Sequence, residues 1–131
     1  MILDTSFLID LMNGQADAVT KAGQLDLKPV VERIPVQVVY ELYVGVGYTD
    51  TPEAEVEKIQ SILDTRPVEE TTPGIARLAG RINGTLKREG QKVSTGDMLI
   101  GATARHYDEP VVTGNPTDFE PIPDVEIDRY S

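Results

Sequence analysis

Short apolar runs alternate along the chain with stretches whose apolar residues recur at three- and four-residue spacing. This is the pattern of an α/β domain built on a parallel sheet. Met1 to Asp4 predicts a first strand, and Leu8, Leu11 and Met12 predict a helix over 5–13 that leaves directly from the strand end and stops at Gly14. Residues 16–27 read as a second helix with Val19, Ala22 and Leu25 turned inward, limited by Pro29. The segment 30–46 satisfies both periodicities, and dividing it at Pro35 gives a strand over 30–34 and a mostly buried helix over 36–47. Pro52 suits the first turn of a helix with Val56, Ile59, Ile62 and Leu63 inward, and 66–69 suits a short strand. Ile75, Leu78, Ala79, Ile82 and Leu86 mark a further helix that begins at Pro73 and ends at Gly90. Ser94 or Thr95 caps the next helix, which runs to about Tyr107 and carries Gly101, Ala102 and Ala104 for close packing. A strand over 110–113, a turn at 114–116 and a last strand over 125–127 complete the reading.

At 131 residues the chain fits one domain over 1–131, large enough to bury roughly 68% of its unfolded surface. The absence of cysteine excludes disulfides, iron-sulfur clusters, thiolate zinc sites and cysteine nucleophiles, and is compatible with a reducing cytoplasm. No apolar run approaches the roughly 18 to 20 residues of a membrane span, and no basic leader precedes the first strand, so a soluble, uncleaved, cytoplasmic protein is expected. The 22 acids outnumber the 12 bases, for a net charge of -10, and only five of the bases are lysine. Acidic self-repulsion is relieved when salt near 1 M shortens the Debye length to about 3 Å, so a halophilic protein whose stability rises with KCl is expected.

Four acids sit in apolar surroundings: Asp4 after Met1-Ile2-Leu3, Glu41 within 38–44, Asp97 before Met98-Leu99-Ile100, and Asp118 beside Phe119. A carboxylate buried without a partner takes up a proton, finds a donor or binds a cation. Each has a structural alternative. Asp4 can cap the helix after it, Glu41 can face water, Asp97 falls in the capping-box pattern after Ser94, and Asp118 can cap a local turn. The lone His106, near a helix end beside Arg105, reads as surface structure.

Taken together, 3–10, 41–45, 97–104 and 112–119 resemble, in order and interval, the PIN-domain nucleases, and most closely the VapC-type toxins of toxin-antitoxin pairs. The resemblance implies a PIN-like α/β fold with a central parallel sheet flanked by helices, and a metal-dependent endoribonuclease leaving 5′-phosphate and 3′-hydroxyl ends. It assigns Asp4 and Asp97 as Mg²⁺ (or Mn²⁺) ligands, Glu41 as a ligand or water-positioning acid, and Asp118 as the most variable member of the quartet. Thr113 and Asn115 fall at positions that support the site in the family, while Thr5 and Ser6, read from the residues themselves, can serve equally as helix caps or as supporting donors behind the acids. Two residues depart from the pattern: Gly101 replaces an alanine, a change expected to be harmless, and Pro116 stiffens the loop before Asp118. A cognate antitoxin and a homodimer are the partners the resemblance implies, and the apolar side chains Tyr40, Tyr43, Val44 and Val46 are available to core, dimer or antitoxin contact.

The residues agree with such chemistry independently. Mg²⁺ prefers oxygen ligands and keeps waters, so a few carboxylates suffice to hold it. RNA is a polyanion, and Arg77, Arg81, Lys87, Arg88 and Lys92, with only Glu89 among them, form a strip able either to contact phosphates or simply to be a solvated helix face. Three other readings stay open: a non-catalytic RNA- or protein-binding module, a DNA-directed nuclease of the same fold, and a phosphatase with Asp4 as nucleophile. Ser6 disfavours the last, because a second aspartate would normally assist there.

Overall fold

The computed structural model describes residues 1–130. The elements follow in the order β1 (Ile2–Leu3), α1 (Thr5–Met12), α2 (Ala16–Asp26), β2 (Ile34–Pro35), α3 (Val36–Tyr48), α4 (Pro52–Leu63), β3 (Val68–Glu69), α5 (Pro73–Arg88), α6 (Thr95–Tyr107), β4 (Val111–Thr113) and β5 (Ile127–Arg129). A single 3₁₀ turn, Pro116–Asp118, lies between the last two strands. β1 pairs with β4 in parallel, Ile2 opposite Val111, and β4 pairs with β5, Val111 opposite Ile127. β2 pairs with β3, and it joins β1 through a parallel bridge between Ile2 and Arg33, with Leu3 N donating to Arg33 O at 2.9 Å. The strands therefore lie in the order β3-β2-β1-β4-β5, all parallel.

The chain builds outward from β1 to β3 and then returns to the other side of β1. Strand order reverses between β1 and β4, and open parallel sheets bind their ligands beyond the strand ends at such a point. Asp4 follows β1 there and Gly114 follows β4.

Strands covered on both faces should be apolar throughout, and Ile2, Leu3, Val111 and Val112 are fully buried. Phe7, Leu8, Leu25, Val38, Ile59, Ile75, Met98, Ile100 and Phe119 close the core from the helices and loops around them. α6 is the central helix, buried from Ile100 to Ala104. Gly101 is what admits Ile122, whose Cδ1 would stand 2.7 Å from a Cβ at that position. The departure at Gly101 is thus matched by a larger neighbour rather than left as a void.

Four sequence expectations need correction. α3 is not mostly buried: Val38 and Leu42 face the core, while Val36, Tyr40, Tyr43, Val44 and Tyr48 are exposed. Only one stripe of an apolar helix found a partner. Val19 on α2 is exposed as well, since Ala18, Ala22 and Leu25 form the inward line. The second strand is shorter and later than 30–34, because Val30 and Val31 remain at the surface. The last strand runs Ile127–Arg129 rather than 125–127, set by the pairing of Ile127 with Val111, and Val125 instead packs beside Gly101.

Candidate functional site

Asp4 is 5% exposed and stands between β1 and α1. It occupies the N-cap position but makes no capping bond with its side chain. Its Oδ2 instead accepts from Thr113 Oγ1 at 2.7 Å and from Ser6 Oγ at 2.9 Å. Each of those hydroxyls is in turn fixed by a backbone amide: Asn115 N donates to Thr113 Oγ1 at 2.9 Å, and Gly114 N donates to Ser6 Oγ at 3.0 Å. A hydroxyl has one proton, so both protons are committed to Asp4 and the 3.2 Å approach of the two hydroxyl oxygens carries none. The turn after β4 thereby orients the carboxylate and leaves Oδ1 without a side-chain donor. Burial pushes the Asp4 carboxyl above the usual range, the Thr113 and Ser6 bonds pull against it, and Glu41 adds to the push.

Glu41 reaches the same region from α3. Oε1 accepts from Thr5 Oγ1 at 2.5 Å and Oε2 from Gln37 Nε2 at 2.9 Å, one helical turn before it. Both oxygens are therefore held. Gly96, at the start of α6, stands against this pair: a Cβ there would collide with Glu41 Oε2 and lie 3.0 Å from Gln37 Nε2. Glycine at this position leaves the room in which Glu41 keeps both of its bonds between the two helices.

Asp97 has two roles at once. Ser94 Oγ accepts from Asp97 N at 3.1 Å, so the cap expected from the sequence is formed. Its carboxyl is nevertheless pushed up to about 6, first by burial and then by Asp118, Asp4 and Glu41, against a hydrogen bond with Ser94. Asp97 thus feels the other three acids, and Asp4 feels Glu41. Asp118 ends the 3₁₀ turn, exposed, with Pro116 at the first position, where proline fits. Pro116 shapes the loop without removing Asp118 from the group.

No three of the described His, Asp or Glu side chains stand close enough together to form a ready cation cage. The carboxylates meet at coulombic range, as expected for like charges of which one, Glu41, is tied back by Thr5 and Gln37. The donor set still fits a hard divalent ion: every functional atom is a carboxylate or hydroxyl oxygen, and no histidine or thiol belongs to the cluster. His106 is exposed near the end of α6.

Of the supporting residues, Thr5, Ser6 and Thr113 hold acids directly, whereas Asn115 contributes its backbone amide. The basic strip is divided. Arg77 and Arg81 line a groove of about 840 Å³ against Pro121 and Pro123, while Lys87 and Lys92 line a separate pocket that ends at Ser94, and Arg88 borders neither.

Three features escape a reading of the residues alone. Gln37 precedes Glu41 by four positions, a spacing that signals an amide-carboxylate pair on a helix. Gly96 had a signal only in its place beside Asp97. Tyr130 donates to Asp10 Oδ2, stacks edge-on against Phe7 at 5.2 Å, and would be struck by a Cβ at Gly114, so it backs the turn that orients Ser6 and Thr113. No local pattern joins residues 10, 114 and 130.

Ribonuclease VapC of Rickettsia bellii (strain RML369-C) is 29% identical, over 97% of this chain and 93% of its own length. The VapBC2 complex of Rickettsia felis bound to a promoter DNA fragment contains a chain of the same fold, with a TM-score of 0.90 and 22% identity over 99% of this chain and 98% of that one. VapBC-5 of Mycobacterium tuberculosis superposes at a TM-score of 0.73 with 27% identity, covering 98% of this chain and 96% of that one. Residues 1–123 match the PIN domain, and the chain belongs to the PIN-domain family.

Proposed function

We propose that this protein is a Mg²⁺- or Mn²⁺-dependent endoribonuclease, the toxin of a VapBC-type pair. The observation that carries the reading is the gathering of Asp4, Glu41, Asp97 and Asp118 at the reversal point of the sheet, with no cation of the protein among them. The similarity to a VapC ribonuclease and to chains from VapBC complexes supports the toxin assignment and an antitoxin partner. A homodimer and a cytoplasmic site of action belong to the same proposal, and no helix of the described residues is long and apolar enough to cross a membrane.

When bound, a hard divalent ion supplies Lewis-acid polarisation of the phosphodiester and activation of water. The residues of the chain prepare for it. Asp4 and Asp97 would hold the ion, and the Ser6 and Thr113 protons aimed at Asp4 Oδ2 favour the ionised carboxylate that a ligand must be. Glu41, fixed at both oxygens, orients a water or a ligand rather than adapting to it. Asp118, exposed on its turn, completes the charge at the mouth of the site.

The test uses purified protein in high KCl with mixed RNA, or DNA in parallel, and Mg²⁺ or Mn²⁺ against EDTA. Cleavage of RNA should require the metal and be lost in Asp4→Asn and Asp97→Asn. Cleavage that survives EDTA, or that both variants retain, contradicts the mechanism. Metal binding without cleavage would identify a binding module, and cleavage of DNA alone a DNA-directed enzyme.

A further inference from the structure

The unpaired cations of this acidic chain are concentrated in one segment. Lys21, Arg33, Lys58, Arg66 and Arg105 each have an acidic partner. Among the described residues the other seven of the 12 bases have no ion pair, and Arg77, Arg81, Lys87, Arg88 and Lys92 are five of them. The fold sends these five to different places. The groove that holds Arg77 and Arg81 is bordered by Glu89 and by none of the four site acids. The pocket that holds Lys87 and Lys92, about 540 Å³, is completed by Gly90, Gln91, Val93 and Ser94 and has no acidic side chain in its wall.

That pocket is built by the end of α5. Gly90 takes a φ of 76°, Gln91 N donates to Leu86 O at 2.9 Å and Gly90 N to Lys87 O at 3.1 Å, which closes the helix and turns the chain back. The reversal brings Lys92 to the same hollow as Lys87. Ser94, which also lines the pocket, is the residue whose hydroxyl accepts from Asp97 N. The pocket and the acidic site therefore share a residue.

We infer that the Lys87–Lys92 pocket is a phosphate subsite, which seats a backbone phosphate of single-stranded RNA flanking the bond presented to Asp97. The inference rests on the nuclease reading and extends it to the track of the substrate. A polyanion brought to four carboxylates on a chain of net charge -10 is repelled unless local cations hold it. Lys87 and Lys92 are unpaired, exposed and joined to the site through Ser94, and their aliphatic stems with Val93 offer an apolar floor beneath the charges. Arg77 and Arg81 have the charge but not the connection.

The experiment compares wild type, Lys87→Gln/Lys92→Gln and Arg77→Gln/Arg81→Gln. Fluorescence anisotropy with labelled single-stranded RNA in EDTA reads binding, and cleavage with Mn²⁺ reads turnover. The lysine pair should bind RNA about tenfold more weakly, and its salt slope should be smaller by about 1.4, from two contacts at ~0.7 each on single strands. Raising salt fourfold should then cost the wild type about sevenfold more affinity than the lysine variant. KM should rise with kcat nearly constant, and Mn²⁺ affinity and thermal stability should not move. The arginine pair should stay within twofold of wild type. Equal RNA affinity in the lysine variant, or a larger loss in the arginine variant, overturns the inference while cleavage by the wild type keeps the nuclease reading. RNA binding that depends on the lysines without any cleavage keeps the subsite and overturns the nuclease, and a wild type that neither binds nor cuts RNA overturns both.

Discussion

The two ends of the central sheet treat their acids in opposite ways. Near the start of β1, Glu109 accepts from the Met1 ammonium at 2.7 Å and from Arg33 at 3.1 Å, and Arg33 also donates to Glu69 at 3.0 Å. Tyr107 donates to Glu69, and the Arg33 guanidinium lies 4.3 Å from the centroid of its ring. Burial raises the Glu109 carboxyl, but the N-terminal ammonium and Arg33 outweigh it and the net shift is downward. Beyond the strands' other end, Asp4, Glu41, Asp97 and Asp118 have hydroxyls, the Gln37 amide, a backbone N–H and one another, but no cation of the protein. An acid matched by a cation of the protein contributes to folding. Acids gathered without one repel one another, and a cation bound among them would relieve that repulsion.

Substitutions that neutralise one acid at each end should separate the two kinds. Asp4→Asn and Asp97→Asn should each lower RNA cleavage at least a thousandfold, on the order expected for loss of a group that holds a catalytic ion. The same changes should leave the melting temperature unchanged or raised, because each removes a charge that repels its neighbours. Glu109→Gln should do the reverse. It leaves an ammonium and a guanidinium short of a charged acceptor, for a loss of about 2 kcal/mol and a fall in melting temperature of roughly 6 to 10 °C, with cleavage intact. Calorimetry and cleavage assays on the three proteins check both halves.

Gly96→Ala should give a smaller effect on activity alone. The atom a Cβ would strike is the mobile end of Glu41, which can swing aside at little cost in stability. The Gln37 bond would be lost in the process, and cleavage should fall about tenfold, in the range seen when a supporting interaction is removed. An undiminished rate would mean that the orientation of Glu41 is unimportant.

The weakest contrast is in pH. The folded pKa of Asp97 lies above its ordinary value of 3.8, at about 6, so the folded protein binds more protons between those values and metal-free stability falls as pH rises through that window. Glu109 has a folded value below 4.5, so its contribution is present above that pH and is lost as pH falls through the depressed value. In EDTA, acidification from pH 7 to 5 should therefore stabilise the protein through Asp97. Unfolding curves across that range check the sign, and the gain should shrink in Asp97→Asn, leaving the part contributed by Asp4, whose carboxyl burial also raises.

How far this division could be read from the sequence depended on the range of each interaction. Asp4, Glu41, Asp97 and Asp118 stand out because a carboxylate in an apolar run is locally conspicuous, and the helices that carry Glu41 and Asp97 follow from spacing, from Pro35 and from the stop at Gly90. The surface of α3 is not legible in the sequence, because Val36, Tyr40, Tyr43 and Val44 look like core residues and hydrophobicity does not say which side of a helix finds a partner. The placement of Gly114 against Tyr130, and the four-group cluster around Arg33, join residues far apart in the chain and have no local signature. The paired end of the sheet was invisible for that reason, and the unpaired end was visible because its acids lacked the partners that would have made them ordinary.

Thermal unfolding in saturating Mn²⁺ against EDTA, on wild type and Asp97→Asn, tests whether the four acids take up a divalent cation. If the unmatched acids are reserved for a divalent cation, Mn²⁺ should raise the wild-type melting temperature by several degrees, as ligand binding to the folded state requires, and should leave the variant nearly unmoved. A melting temperature indifferent to Mn²⁺, or raised equally in both proteins, would contradict it.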